Sequence, residues 1–358
     1  MTEMLINLYD LSDAELSALM AELDQPAFRA RQISEWLYKH KVATFEAMTN
    51  LPKALRQQLA VKTRIGSFEQ VAEQHSVESA TTKRLYRLAD GQLIESVLME
   101  YDDGRRTACI STQAGCAMGC IFCATGQMGF ARHLSAGEIV EQVIHFARLL
   151  EREGERLSNV VLMGMGEPLH NYENTMRAIR RLNDPNGLNI GQRHITLSTV
   201  GLVPEIKRFA DEGLQVGLAI SLHAATDAER NALLPINRRY PIREVLDAAR
   251  YYVQKTGRRV TFEWALIRGE NDTVEQAERL GTLLRGLLCH VNLIPLNPTS
   301  GYGGAPSDPE RVDAFRATLA RYGVSSTVRV RRGIDIQAGC GQLKTEVLRR
   351  GRRQRAAG

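Results

Sequence analysis

A chain of 358 residues is long enough for one large core and a smaller appended module, and with 44% hydrophobic and 24% charged residues it excludes wholesale disorder and a fibrous fold. The formal charge of +5 permits a polyanionic partner without requiring one. No apolar run approaches the roughly 18 residues that span a bilayer, and the opening MTEMLINLYDLSDAELSALM carries acids without a basic stretch, so a cytoplasmic location without membrane contact is expected.

From residue 11 the pattern is helical: Ser12 and Glu15 set a capping box, and Leu16, Leu19, Met20 and Leu23 recur at helical spacing until Pro26. A second amphipathic helix, AFRARQISEWLYKH, puts Phe28, Ile33, Trp36 and Leu37 on one face and Arg29, Arg31, Lys39 and His40 elsewhere. A third begins near LPKALRQQLA, with Pro52 in its first turn. These segments read as a small helical module with a basic outer face. Between 67 and 100 the period changes, and Asp90-Gly91 between two β-rich runs predicts a hairpin. The expected division is 1–90 for the helical and hairpin accessory module, 91–345 for the core, and 346–358 for a basic tail.

After residue 107, ACIST, NVVLM, HITLST, QVGLAIS, RVTFEWAL and HVNLIPL are each followed by helix-like sequence, and STVRV adds a last strand. Repeated βα units with right-handed crossovers predict an α/β fold with a parallel sheet, in the form of a partial (βα)6 barrel. The polar residues just after these strands then fall on the face where such barrels bind ligands.

Four of the six cysteines cluster at Cys109, Cys116, Cys120 and Cys123. In a reducing compartment such clustering points to metal or redox chemistry, not to disulfides. The C-x3-C-x2-C spacing of Cys116, Cys120 and Cys123 lets three thiolates from one loop hold a cuboidal [4Fe-4S] cluster with one iron left open. A zinc site completed by Cys109 is the alternative, although Cys109 would be drawn back into the ACIST strand. Gly166 and Glu167 in GMGEP follow a strand, where glycines allow the backbone close to a ligand and Glu167 can accept from an ammonium. Ser198, Ser221, His223 and Asn297 sit near the ends of apolar strands, as ligand contacts or as buried structural hydrogen bonds. Cys340 lies between two glycines after the last strand and Cys109 ends the first, so a closing barrel would bring them together. Cys289, inside LLRGLLCHVNL, reads as an inert apolar residue. Five arginines between 349 and 355 form either a phosphate-touching tail or a solvated helix end.

Taken together, AFRARQISEWLYKH, MTNLPKALR, ACISTQAGCAMGCIFCATGQMGF, SAGEIVEQV, MGMGEPLHNYEN, ISLHA, LLPINRRYP, HVNLIPLNP and AGCGQL resemble the RlmN/Cfr family of radical S-adenosylmethionine (SAM) RNA methyltransferases over almost the whole chain. The resemblance implies a radical SAM barrel with Cys116, Cys120 and Cys123 on a [4Fe-4S] cluster. It implies SAM, two per turnover, held by Gly166, Glu167, Ser198, Ser221, Leu222, His223 and Asn297. It further implies that Cys340 carries a methyl group, that Cys109 resolves the adduct through a transient disulfide, and that Glu95 accepts a proton, the alternative for Glu95 being an exposed hairpin carboxylate. The implied reaction is methylation of adenine C2 at adenosine 2503 of 23S rRNA and adenosine 37 of tRNAs. The implied partners are those RNAs, gripped by the 1–90 module, and an electron donor such as a flavodoxin or ferredoxin, with the enzyme a monomer.

The RlmN branch usually reads GDDIDAACGQL where this chain has GIDIQAGCGQL. The departures are Ile334, Gln337 and Gly339, and Ile334 leans toward the Cfr branch, which methylates C8. Pro168 and the N-terminal module lean toward RlmN and C2. A non-catalytic zinc RNA-binding factor is the reading from another class.

Overall fold

The computed structural model describes residues 5–343. Seven β-branched and leucine-rich strands pair in parallel, in the order Arg106–Cys109, Asn159–Leu162, Ile195–Thr199, Gly217–Ser221, Val260–Leu266, Cys289–Pro295 and Ser326–Val328. The first six are each followed by an outer helix: Ala136–Arg152, Tyr172–Asn183, Val203–Asp211, Ile242–Thr256, Val274–Leu284 and Pro309–Arg321. Parallel neighbours require such crossovers, because a tight turn cannot return the chain in the same direction. The six βα units expected from the sequence are present, with Ser326–Val328 as a further edge strand.

The sheet stays open, as the expected partial barrel does, so its first and last parallel strands are not joined by closure. The outer edge of Arg106–Cys109 is taken by Leu93–Glu100, which runs antiparallel with Cys109 opposite Val97, followed by Thr81–Arg87 and Glu69–His75. Among the described residues the first and last parallel strands are therefore not neighbours. The gap is crossed instead by the loop after Val328, which the added strands hold. Arg332 Nη1 donates to the Glu100 carbonyl at 3.1 Å, Gly333 N to Ser79 Oγ at 3.0 Å, and Lys83 Nζ to the Gln337 carbonyl at 3.4 Å. Asp335 accepts from Ser76 Oγ at 2.7 Å and Val77 N at 2.9 Å.

The hairpin falls where Asp90-Gly91 places it, with Leu88 and Gln92 bonded across the turn and Gly91 at φ +83°. The expected division at 90–91 coincides with this turn, and the strands on both sides of it belong to the barrel's sheet.

The three N-terminal helices are Asp13–Glu22, Phe28–Tyr38 and Lys53–Lys62, the first with its Ser12–Glu15 capping box. Two local expectations differ. Pro52 is the N-cap of the third helix, not a first-turn residue, and Phe28 is exposed, its ring covered by the Arg29 guanidinium at 4.9 Å. Leu16, Met20, Ile33 and Leu37 share one core with the barrel helix Ala136–Arg152. Polar ties reinforce that packing: Gly137 N donates to Asp10 Oδ1 at 2.8 Å, and Arg148 reaches Tyr9 Oη and the carbonyls of Lys41 and Val42. Glu141 accepts from Ser67 N at 2.8 Å, Phe68 N at 3.0 Å and Ser67 Oγ at 3.2 Å. Arg31, Lys39 and His40 are exposed, Lys39 pairing with Glu35. The basic tail lies outside the described residues. Among the described residues no helix is long and apolar enough to cross a membrane.

Burial pushes the Glu141 carboxyl from 4.5 up to about 7, against the pull of its three donors. Between those values the folded chain keeps a proton that the unfolded chain releases, so this group makes stability fall as pH rises through the window. Glu141→Gln is expected to remove that slope and to leave an amide short of an acceptor, at a cost of about 1–3 kcal/mol. Denaturant unfolding followed at about pH 5 and about pH 8 measures both effects.

Candidate active site

The cysteine loop is an excursion between Gln113–Gly115 and Phe130–His133, which pair antiparallel. Gly115, at φ +76°, is needed there, because a Cβ would collide with the Gly129 carbonyl that accepts from Cys116 N at 2.9 Å. Cys120 packs with Leu233, Leu234, Ile267 and Leu296, beside Phe122 and Cys123. The Cys340 loop is stitched to the same excursion: Ala124 N donates to the Gly341 carbonyl at 2.7 Å, and Thr125 Oγ1 to the Leu343 carbonyl at 2.8 Å.

Cys116, Cys120 and Cys123 line one cavity. Burial pushes the Cys116 thiol up to about 12, Cys120 well above its ordinary value, and Cys123 upward. Thiolates are costly in such a place unless a cation shares their charge, so the donor set suits bound iron. The three thiols line this cavity together, and among the described residues no group of three or more His, Cys, Asp or Glu side chains is arranged to hold a single metal ion. Cys109 is turned to a neighbouring cavity and does not join them, which removes the fourth ligand from the zinc alternative.

Gly166, Glu167, Ser198, Ser221, His223 and Asn297 line the cysteine cavity. Leu222 does not; it is fully buried and contributes backbone only, its N–H donating to the Glu263 carbonyl at 3.1 Å. The GMGEP glycines answer first to the protein itself. A Cβ on Gly164 would lie 2.7 Å from the Ile110 carbonyl carbon, and one on Gly166 would lie 2.6 Å from Gln113 Cβ. Glu167 is 2% exposed and accepts from Val200 N at 2.8 Å and Leu169 N at 3.1 Å, and burial pushes its carboxyl up to about 7. His223, at φ +59°, takes Ala265 N on Nδ1 at 2.8 Å and packs edge-on against Phe122. Burial and nearby Arg230 push it down to about 3, so it is neutral with its remaining proton on Nε2.

Cys109 and Cys340 line the second cavity together, which shares Cys123, Thr125, Met163, Gly164, Asn297 and Arg329 with the first. It is the crossing loop, and not a pair of edge strands, that brings the two cysteines to one cavity. Asn297 Nδ2 donates to the Cys340 carbonyl at 3.1 Å, while its Oδ1 has no protein partner among the described residues. Burial, with the neighbouring Cys340, pushes the Cys109 thiol up to about 12. Glu95 is 4% exposed, not an exposed hairpin carboxylate, and pairs with Lys83 Nζ at 3.1 Å. It lines neither cavity, yet Lys83 connects it to the Cys340 loop at Gln337. Cys289 is buried at the start of its strand, as expected.

Sequence reasoning passed over two charged residues here. Glu263 is 4% exposed, lines the cysteine cavity, and has an Oε2 without a protein partner among the described residues. Its signal was available: an acid in the middle of the apolar strand VTFEWAL. Arg329 lines both cavities, and the charges of Cys340 and Glu263 hold its guanidinium firmly protonated. An arginine in the alternating run STVRV carried no comparable mark.

Residues 110–280 match the radical SAM superfamily and residues 6–65 the ribosomal RNA large subunit methyltransferase N-terminal domain. Over 347 residues the chain is 57% identical to the dual-specificity RNA methyltransferase RlmN 1 of Myxococcus xanthus, covering 97% of this chain and 96% of that one. The crystal structure of a radical SAM methyltransferase from Sphaerobacter thermophilus is similar with a TM-score of 0.92 and 52% identity, over 95% of this chain and 99% of that one.

The Cys340 loop leaves no room at Gly339, where a Cβ would lie 2.8 Å from Asn297 Nδ2, from Gln342 Oε1 and from Ile334 Cδ1. Gly339→Ala is therefore expected to destabilise the fold by about 1–3 kcal/mol and to break the Asn297–Cys340 contact. Shortening Ile334 to alanine in the same chain opens one of the three clashes and is expected to recover part of that loss in thermal unfolding.

Proposed function

The chain belongs to the RlmN family of RNA methyltransferases within the radical SAM superfamily, and on that membership we propose that it methylates adenine C2 at adenosine 2503 of 23S rRNA and adenosine 37 of tRNAs. The observation that carries the mechanism is the shared cavity of Cys340 and Cys109, which opens through common walls onto the cavity of the three loop cysteines. Ring carbon C2 is no nucleophile and has no acidic proton, so direct polar transfer from a sulfonium cannot reach it. Cys116, Cys120 and Cys123 would hold a [4Fe-4S] cluster, which with SAM would supply the one-electron chemistry that the carbon requires.

The remaining steps belong to the chain's own residues. Cys340 sulfur takes a methyl group from a first SAM, forming an S–CH3 bond as the sulfonium bond breaks and S-adenosylhomocysteine leaves with the electron pair. Once a second SAM has been consumed in removing a hydrogen atom from that methyl, its carbon bonds to C2 and joins protein to RNA through Cys340. Glu95 accepts the C2 proton, with Lys83 beside it to balance the charge, and the odd electron left on the adduct would be given up to the one-electron centre that the loop cysteines hold. Cys109 loses its proton and attacks Cys340 sulfur; a disulfide forms, the S–CH2 bond breaks, and the electron pair left on carbon takes up a proton to complete the methyl group. Asn297 and Arg329, reaching both cavities, hold the loop and the polar parts of the ligands between the two centres.

The target base must leave its stack to reach Cys340, and we assign the grip on the surrounding backbone to residues 1–90, with exposed Arg31, Lys39 and His40. Residues 91–345 form the radical SAM core, and 346–358 the basic tail. A monomer working in the cytoplasm with a flavodoxin or ferredoxin as electron donor completes the reading.

Cys116→Ala, Cys120→Ala and Cys123→Ala, purified without oxygen, are each expected to lose iron and SAM cleavage together; an iron-loaded, fully active variant at any of the three sinks the cluster assignment. Cys109→Ala is expected to attack RNA and fail to release it. The readout is a denaturant-resistant protein–RNA species that ribonuclease trims to a nucleotide on the Cys340 peptide, with the attachment carbon, C2 or C8, read by mass spectrometry against standards. Normal turnover by Cys109→Ala removes that cysteine from the mechanism, and attachment at C8 overturns the regiochemistry.

A further inference from the structure

Arg230 is fully buried on the helix Asp227–Leu233, and among the described residues it forms no ion pair. All of its acceptors are neutral. Nε donates to the Leu222 carbonyl at 3.2 Å, Nη2 to the carbonyls of Val200 at 2.6 Å and Ser221 at 3.1 Å, and Nη1 to Asn237 Oδ1 at 2.8 Å and the Tyr240 carbonyl at 3.4 Å. A buried cation satisfied by dipoles alone is expensive, and an aliphatic side chain would fill the space more cheaply unless the charge has a use.

The helix that carries Arg230 lies against the cysteine loop. Ile121 N donates to the Leu233 carbonyl at 3.2 Å, and Cys120 packs on Leu233 and Leu234 in an apolar cluster. The buried Arg230 therefore sits on the helix whose Leu233, with Leu234 just after it, walls Cys120, with little water between them to screen its charge. The acid on the other side is held off: Asp227 Oδ1 accepts from Asn237 Nδ2 at 3.1 Å, so Asn237 stands between it and the guanidinium. Arg230 also fixes the carbonyls of Val200 and Ser221, which line the cysteine cavity, and that of Leu222 behind them, and Glu167 holds the Val200 amide.

We propose that Arg230 is a positioning residue whose buried charge raises the reduction potential of the cluster on the loop cysteines while its guanidinium fixes the SAM-side rim. The inference rests on the reading that Cys116, Cys120 and Cys123 carry a [4Fe-4S] cluster. Adding an electron makes such a cluster more negative, and a cation held in a low-dielectric wall favours that state. In an apolar pocket of thiolates the reduced form would otherwise be penalised.

The test is a redox titration of the anaerobically reconstituted full-length protein, followed by electron paramagnetic resonance, with iron content and SAM affinity measured on the same samples. Arg230→Met is expected to shift the midpoint to lower potential at undiminished iron. Arg230→Lys, which keeps the charge but not the planar set of donors, is expected to stay near the wild-type potential and to bind SAM more weakly. Asp227→Asn leaves the clamp in place and removes the acid whose charge acts on Arg230, so its midpoint is expected to rise, a result independent of whether Arg230→Met folds. An unchanged midpoint in Asp227→Asn, or in an iron-replete Arg230→Met, overturns the proposal. A wild-type protein that takes up no iron overturns the cluster reading instead.

Discussion

The site depends on how the edges of one short strand are occupied. Arg106–Cys109 has Asn159–Leu162 on one side and Leu93–Glu100 on the other, so no backbone donors or acceptors remain there for the last parallel strand, and the sheet stays open. An open sheet leaves a gap beside the first strand, and the chain fills it with a loop. That loop can take its position only because strands from the N-terminal half provide anchors: Ser76, Val77 and Ser79 hold Asp335 and Gly333, and Lys83 holds Gln337. The pairing that prevents closure thus also builds the support for the loop that brings Cys340 to the cavity of Cys109. An accessory hairpin and a catalytic loop far apart in sequence become one packed unit.

A second constraint is electrostatic. Thiols, carboxyls and guanidinium groups are crowded into a space walled by Phe122, Leu162, Leu234 and Leu296, where every charge is strong and every unpaired polar atom is costly. Burial pushes Cys109, Cys116, Cys120, Cys123 and Glu167 upward and His223 downward, each toward its neutral form. Neutrality lowers the cost of this crowding, and Asn297 Oδ1 and Glu263 Oε2 have no protein partner among the described residues. Burial pushes Arg230 down as well, to about 10, while Arg329, lining both cavities with Cys340, is held protonated.

Much of the fold was legible because its signals are local or periodic. The capping box, the strand-helix alternation and the Asp90-Gly91 turn each appear where the sequence puts them. The cysteine spacing and the strand-end positions likewise brought Gly166, Glu167, Ser198, Ser221, His223 and Asn297 to one cavity. What was not legible depends on long-range pairing. No pattern around residue 109 tells whether its strand will be met by the last strand or by a hairpin strand. Arg230, in a helical run of charged residues, looks solvated until the carbonyls that enclose it are in place, and Glu95 looks exposed until Thr81–Arg87 covers it.

The same distinction decides what the departures around Cys340 can mean. Read as letters, Ile334, Gln337 and Gly339 are three independent changes from the usual RlmN motif, and Ile334 alone leans toward C8 chemistry. In space two of them are one change: with Ile334 Cδ1 only 2.8 Å from where a Cβ on residue 339 would stand, isoleucine at one position is compatible with glycine at the other. Gln337 takes a left-handed conformation, φ +54°, and offers its carbonyl to Lys83, a backbone role that leaves its side chain free to vary. Neither Ile334 nor Gln337 lines the cavities in which Cys340 and Cys109 face each other. These residues set how the loop packs and strains, while the wall that a base would meet is built from Met163, Asn297 and Arg329. Of the three departures only Gly339 lines the cavity that Cys340 and Cys109 share, so Ile334 and Gln337 act on it through the packing of the loop.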